Sequence, residues 1–562
     1  VTVVGDAPLI EAEKADRGML VSRQNLAELP IMTRVPILLV VLAPGVTNRS
    51  TRYDWTPFSN SGLSSWSVNG STANSTAFLI DGAPNDVVYE SQPSVAYVPP
   101  SDAVQEFRVV ANAYDAQYGR NGGGIVSMVT KGGTNQFHGT AYEYLKRPSL
   151  NATSFSNNAK RLPADNTPLD QYGFTVAGPV RVPKVYNGRD RTFFFGAWEH
   201  YKQNQSFPQN DVSSVPTIAQ RNGDFSKTLD SAGRLMPIYD PNTGRLANNQ
   251  WVRDAFPGNI IPPNRIDPVG AKIMSLYPEP NQLTPGSVDW QNNFFLKDNV
   301  TWYDFYNVVA RIDHNFSGKQ RVYGRYVWND MNMFQLSNGL PGKAANRREG
   351  HKTNNGFVFD SLTVLSPSST FDLRASLTRW VQNYRPTDWG SYNSTAIGWP
   401  QSLVSQFGEP NRFPYITSDG YKSIGSSSGN IWLAPTTNIA LAPTFTSIYH
   451  RHSLKMGLDY RWIRAGNYQS VWAGGTLAFT RAFTRSNYLT QDALSGSAVA
   501  SALLGYAASG QVDRVASPYY RWHYFAPWVQ DDIKVSRRLT INLGLRWDLV
   551  VPVTERYNRM NR

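Results

Sequence analysis

From Leu539 to Leu549 the chain repeats with a period of two. Leu539, Ile541, Leu543, Leu545, Trp547 and Leu549 fall on one face of an extended strand, and Thr540, Asn542, Gly544, Arg546 and Asp548 on the other. No soluble helix has that period. The pattern recurs where Leu454, Met456, Leu458, Tyr460 and Trp462 oppose Lys455, Gly457, Asp459 and Arg461. It recurs again where Phe371, Leu373, Ala375 and Leu377 oppose Asp372, Arg374, Ser376 and Thr378, and where Tyr306, Val308, Ala310 and Ile312 oppose Asn307, Arg311 and Asp313. The polar faces carry both signs of charge, which suits a wet lumen, although a soluble sandwich alternates in the same way.

Connection lengths separate the two better. Short turns fall at Asn315 to Gln320, Leu365 to Ser369, Tyr449 to His452 and Ser536 to Arg538. Between them lie long Gly/Ser/Asn/Pro-rich segments, Trp328 to Asn354, Tyr384 to Thr436, Gln469 to Ser517 and Ser206 to Asn299. Compact soluble domains rarely hold structureless loops of that size, whereas outer-membrane barrels pair short turns at one end with long loops at the other. Tyr326, Trp328, Tyr460, Trp462 and the aromatics from Tyr519 to Trp528 read as strand ends where an interfacial girdle sits; cross-strand pairs in a soluble sheet are the alternative. Roughly a dozen such strands follow residue 136. An incomplete barrel would leave edges that cannot face lipid, so a fragment of a longer protein is expected.

Composition removes several classes. The 562 residues are 13% aromatic and 17% charged, against about 25% charged in ordinary soluble domains, so the chain is expected to fold rather than stay disordered. With no Cys, a disulfide scaffold, thiolate zinc and iron–sulfur sites and thiol nucleophiles are excluded. No run of apolar residues is long enough for a spanning helix; the longest, Val35 to Leu42, stops at Ala43-Pro44-Gly45. The net charge of +12 is spread along the chain without a nucleic-acid module, and contact with anionic outer-leaflet lipid is the plainer reading.

Residues 1–135 have a different texture, that of a compact α+β unit. Arg23 to Leu29 reads as a short helix stopped by Pro30, and Pro36 to Leu42 as a second apolar helix or strand. Thr76 to Ile80 runs as a strand into Asp81-Gly82, Val104 to Val110 is a second strand, and Ile125 to Thr130 a third after a Gly-rich stretch.

Chemical motifs are sparse. Gly425-Ser426-Ser427-Ser428-Gly429 has the spelling of a nucleophile elbow but lacks the flanking strand and helix. His450-Arg451-His452 has no carboxylate cluster near it in sequence, and Asp240-Pro241-Asn242-Thr243-Gly244 lacks the acidic residue that closes a calcium loop. Gly122-Gly123-Gly124 is not followed by Lys-Ser/Thr, so a phosphate loop is not expected. No catalytic residue, cofactor or metal site is expected.

Phe78-Leu79-Ile80-Asp81-Gly82-Ala83-Pro84-Asn85, Val104-Gln105-Glu106-Phe107-Arg108-Val109, Ala116-Gln117-Tyr118-Gly119-Arg120 and Gly122 to Asn135 together resemble the plug of TonB-dependent outer-membrane receptors. The likeness is to the large Oar-like branch, in which a carboxypeptidase-regulatory-like domain precedes the plug. His138-Gly139-Thr140-Ala141-Tyr142-Glu143-Tyr144 resembles that branch's first barrel strand, and Trp528 to Asp532 with Leu543 to Trp547 one of its later hairpins. The resemblance implies a mainly β fold: a transmembrane antiparallel β-barrel, incomplete in this chain, with an N-terminal α+β plug over residues 1–135 and barrel over 136–562. It implies residence in the outer membrane of a Gram-negative-type bacterium. It further implies TonB and its inner-membrane energising complex as partners, outer-membrane lipid around the wall, and no nucleic acid. The ligand class stays open among oligosaccharide, peptide and chelate. Val1-Thr2-Val3-Val4-Gly5 resembles either the end of the preceding domain or a TonB-box-like segment.

For the plug, Asp81, Gly82, Glu106, Arg108, Tyr118, Gly119, Gly122, Gly123, Gly124, Lys131, Gly132 and Gly133 form the expected structural motif. Its glycines would allow positive φ and close backbone approach. Glu106, Arg108, Arg120 and Lys131 are candidates to pair with Arg311, Asp313, Asp459, Arg461, Arg546 and Asp548 on the wall, with solvated lumen charges as the alternative. Energised uptake of a scarce ligand is the first functional expectation. A barrel that displays its loops for adhesion, with carbohydrate as one contact, is the second, and a soluble β-rich binding module the third.

Overall fold

The computed structural model describes residues 17–559 except 30, 49–55, 90–91, 113–114, 154, 160–166, 208–211, 283–287, 296–298, 337, 339, 346, 426–430, 471, 488 and 490–493. The Val1 to Gly5 segment and Ser426 to Gly429 therefore lie outside the described residues.

The N-terminal unit is built on a five-stranded sheet. Its strands are β1 (Arg17–Val21), β2 (Ala77–Ile80), β3 (Ala83–Pro84), β4 (Val104–Asn112) and β5 (Ile125–Thr130), in the order β1-β4-β5-β2-β3. Helix α1 (Arg23–Glu28) begins where the Ser22 hydroxyl accepts from the Asn25 amide, and Pro36–Leu42 forms a 3-10 helix whose Ile37 and Val40 are fully buried. Between β2 and β3, Asp81 and Gly82 both have positive φ (49° and 72°). That is the type I′ conformation that closes a two-residue hairpin, and Asp-Gly supplies it at low cost.

From residue 138 the chain forms one antiparallel meander of eleven long strands in strict sequence order. They are β6 (His138–Lys146), β7 (Leu169–Pro179), β8 (Thr192–Phe207), β9 (Asn299–Ser317), β10 (Gln320–Leu336) and β11 (Arg347–Ser366), then β12 (Ser369–Pro386), β13 (Ile431–Tyr449), β14 (His452–Gly466), β15 (Tyr519–Ser536) and β16 (Leu539–Arg546). The ends of this path, β6 and β16, do not pair with each other. Tight turns join the strands at one end of the wall and long segments at the other, as the connection lengths imply.

The wall departs from the expected boundaries at one loop. The ladder between β10 and β11 continues to Leu336 paired with Arg347, so most of the segment Trp328 to Asn354 is strand. On β10 the alternation runs on with the apolar residues inward, Met331 and Met333 buried between outward Asp330 and Asn332, whereas β11 is polar on both faces, with Glu349 and His351 outward and Lys352 and Asn354 inward, so only the backbone pairing marks it as strand. For the same reason Tyr326, Trp328, Tyr460 and Trp462 lie within strands rather than at their ends.

One apolar cluster spans the N-terminal unit and the inward face of the wall, joining Trp66, Phe78 and Phe107 to Tyr201, Phe305 and Trp380. A second lies in the long loops and contains no residue of the eleven wall strands.

Candidate functional site

The N-terminal unit meets the wall without sharing a backbone ladder: among the described residues its sheets are separate from that of the wall. The seam is held by side chains, and its turn-proximal half is ionic. Asp81, placed by the I′ turn, accepts from the Thr130 amide and hydroxyl at 2.8 Å each and from Arg325 Nη1 at 2.7 Å. Arg311 stands 3.5 Å from the same carboxylate, and the Tyr323 hydroxyl donates to the Asp81 carbonyl at 3.2 Å. The Asp81 and Arg325 side chains are 3% and 5% exposed. A charge so far from water depends on its partners, since an uncompensated one costs several kcal/mol.

Two further contacts extend the seam. Asp86 receives Arg461 at 3.1 Å from the wall and Arg120 at 3.3 Å from its own unit, while Asp459 holds Arg461 on the other side. Arg546 donates to the Gln117 carbonyl at 2.8 Å and to Asp459 at 3.2 Å, and Gln530 accepts from the Ala116 amide at 2.8 Å. Two glycines let arginine side chains of the wall pass close to the unit's backbone. A Cβ on Gly82 would stand 2.4 Å from Arg374 Nη1, and one on Gly119 2.3 Å from Arg546 Nε.

Toward the loop end the seam becomes aromatic and neutral. Phe58 packs against Tyr201, Tyr303 and Phe305, and Lys352 donates to the Phe58 carbonyl at 3.0 Å. The Tyr97 hydroxyl donates to Asn307 Oδ1 at 2.6 Å, and Asn307 Nδ2 donates to the Val98 carbonyl at 3.0 Å. Burial holds the Tyr97 phenol well above its usual range, which keeps it a donor.

The expected motif residues thus divide. Asp81, Gly82 and Gly119 are at the seam. Gly132 lies near Asp313, and a Cβ on Gly133 would stand 2.4 Å from the Phe194 carbonyl. Gly122, Gly123, Gly124 and Tyr118 pack within the unit, Gly124 against Val110 and Val68, and Tyr118 against the Leu79, Val110 and Ile125 cluster. Of the expected wall partners, Arg311, Arg461 and Arg546 reach the unit, at Asp81, Asp86 and the Gln117 carbonyl. Lys131 donates to the Asp102 carbonyl at 2.6 Å inside its own unit, Glu106 is exposed, and Arg108 lies half-buried on β4. Asp548 bonds Tyr524 and Arg546, both of the wall. At the seam Asp81, in the hairpin turn, and Asp86, first residue of the short strand Asp86–Tyr89, come from the unit, and Arg325, Arg311 and Arg461 meet them from the wall. The sequence reading missed Arg325, Lys352, Tyr97 and Asn307; the signal for the first two is that they fall on the inward parity of their strands.

The long loops, expected as structureless, form one folded cap. Helices α2 (Pro268–Met274) and α3 (Ala498–Leu503) come from different loops and pack so closely that a Cβ on Gly270 would stand 1.9 Å from the Ala502 carbonyl. Arg253 reaches the Ala482 and Phe483 carbonyls at 2.9 Å, and the Tyr277 hydroxyl the Lys422 carbonyl at 2.9 Å. Arg265 grips Asp240 through two bonds of 2.7 and 2.9 Å, and that hydrogen bonding holds the Asp240 carboxyl below its ordinary range. The buried apolar residues come from four loops, Phe225 and Met274 from the first, Leu340 from the second, Phe413 from the third and Leu503 from the fourth, and they make a core only when those loops meet.

These features match known proteins. The model of a family described as an outer membrane beta barrel domain matches residues 129–562. The TonB-dependent transporter Oar of Myxococcus xanthus is 25% identical over 266 residues, which are 42% of this chain and 23% of that protein. The outer membrane transporter YddB from Escherichia coli superposes with a TM-score of 0.54 at 9% identity, over 96% of this chain and 58% of that one. The siderophore receptor PirA from Acinetobacter baumannii superposes with a TM-score of 0.50 at 12% identity, over 96% of this chain and 57% of that one. The chain thus spans less than two thirds of each of these relatives, and the two superpositions speak to the fold.

Proposed function

Because the chain belongs to the outer membrane β-barrel domain family and its wall is an outer-membrane barrel wall, we propose that residues 1–135 are a movable plug and that the whole protein is a TonB-dependent receptor. The observation that carries this reading is the seam. A unit joined to the wall only through side-chain contacts can be displaced without unzipping a strand, and water re-solvates its ion pairs as it moves. A wide barrel needs such a stopper. In this reading the cap captures ligand, and a pull from the periplasm breaks the Asp81 and Asp86 contacts in turn. The ligand is a scarce small molecule; the curated relative supports the TonB-dependent class, and PirA's name suggests a siderophore as the first chelate to try.

A covalent lock tests this. A Cβ on Gly544 would lie 2.9 Å from that of Ala116 across the seam, and the chain has no other Cys. In the full-length protein, Ala116→Cys with Gly544→Cys should form a disulfide after a small adjustment. Oxidised cells should lose energised uptake, and reductant should restore it. Uptake unchanged by a verified crosslink would overturn the moving plug, and a protein whose ligand accumulation ignores TonB would favour display of the cap for adhesion.

A further inference from the structure

The outward face of the wall carries a row of arginines that form no ion pair with a carboxylate among the described residues. Arg379 on β12, Thr437 on β13, Arg464 on β14 and Arg521 on β15 are successive partners in register, and all point away from the N-terminal unit. Arg464 and Arg521 are directly opposed, an arrangement of like charges that destabilises a bare sheet. On the neighbouring flank the outward charges are matched: Lys202 opposes Asp304, Glu349 opposes Arg385, and His351 stands 2.6 Å from Asp330.

Within the row, Arg379 donates to Thr437 at 3.1 Å and Arg521 to Thr554 at 3.2 Å, both neutral hydroxyls. Arg464 lies over Trp462 at 4.6 Å from the ring centroid, Trp462 stacks on His523 at 5.9 Å, and Arg464 Nε is buried without a hydrogen-bond partner. The Arg464 guanidinium thus rests on an aromatic ring.

Height along the wall places the row. On β15 the outward residues run from Asp531, which His452 meets at 2.6 Å near the turn end, through Val529, Pro527 and Phe525 to Arg521. Ten residues at ~3.4 Å each, tilted by about 40°, span about 25 Å, the height of a barrel's apolar band. Arg521 and its partners therefore stand at the loop-end edge of the lipid, where headgroups begin.

We propose that Arg379, Arg464 and Arg521 form a binding site for a phosphate group on an outer-leaflet glycolipid. A phosphate between Arg464 and Arg521 turns their repulsion into charge-assisted contacts with both guanidinium groups. This rests on outer-membrane residence and is independent of transport.

The test uses the full-length protein, washed in detergent and returned to phosphatidylcholine vesicles with or without diphosphoryl lipid A, the bound lipid being counted after re-extraction. Arg464→Gln with Arg521→Gln should lower lipid A retention roughly tenfold or more, while Lys202→Gln on the other flank leaves it unchanged. Dephosphorylated lipid should be retained by neither protein. In phosphatidylcholine alone the double variant should unfold at a higher temperature than the parent, because the like-charge pair is gone, and lipid A should reverse that order. Equal retention by parent and double variant, or retention of dephosphorylated lipid, overturns the proposal. Displacement of lipid A by inorganic phosphate at similar concentration also overturns it, in favour of a free-ion site. If the double variant fails to migrate as a folded barrel on unheated gels, Arg521→Gln alone carries the same comparisons.

Discussion

The N-terminal unit and the loop cap both pack inside one chain, and they are held in different proportions. The unit shares an apolar cluster with the wall, but the turn-proximal half of its seam is anchored by buried charges such as Asp81–Arg325, and elsewhere by side-chain bonds such as Tyr97–Asn307. The cap is welded by an apolar core, with Met274, Val499 and Leu503 fully buried, and by side chains reaching loop carbonyls. An apolar core comes apart only by exposing area to water, whereas an ion pair released from a seam regains hydration at once. The difference teaches why, in the proposed function, the unit below is the part that moves, while the long loops share one core.

The largest break in that comparison is expected at Asp81. Asp81→Ala leaves Arg325 buried without its carboxylate and should weaken docking of the unit by about 3–5 kcal/mol. Hydrogen exchange should rise in β2 and β5 and stay unchanged in α3; faster exchange in the cap as well would erase the distinction. Asp81→Asn keeps an acceptor for the Thr130 amide and should fall between the two.

Gly270→Ala acts on the other side. Its methyl meets the Ala502 carbonyl, and overpacking of about 1–3 kcal/mol should loosen the cap alone. Limited proteolysis of the loops should quicken while the proteolytic pattern of the unit is preserved.

The smallest effect separates the two by pH. The Asp240 carboxyl sits below its ordinary range in the folded cap, so its contribution is present above the unfolded value near 4 and is lost as pH falls through the folded one. Arg265 is one-third exposed, so the loss is within about 1 kcal/mol. Thermal midpoints should fall slightly between neutral and strongly acid pH, and Asp240→Asn should flatten that part of the slope. An unchanged slope would remove the pair from the cap's stability.

Much of this was written in local pattern. The two-residue alternation determined the strands and, through parity, which side chains face inward; Asp81-Gly82 determined its hairpin, because few dipeptides adopt two positive φ values in succession. The turns at one end and long segments at the other determined the orientation of the wall. Parity could mark Arg325 and Lys352 as inward, yet it could not say that Asp81 and the Phe58 carbonyl would meet them, because those partners are more than 240 residues away in sequence. The part of β11 that pairs with β10 beyond Trp328 was hidden for a related reason: where both faces are polar, as from Arg347 to Asn354, backbone pairing leaves no trace in side-chain pattern. The cap was hidden because its apolar residues are sparse in any one loop and form a core only together. Alternation and turn chemistry are short-range properties that a sequence states directly; the pairing of Asp81 with Arg325, the opposition of Arg464 and Arg521 and the closing of four loops on one core depend on register and distance in space, which only the folded chain decides.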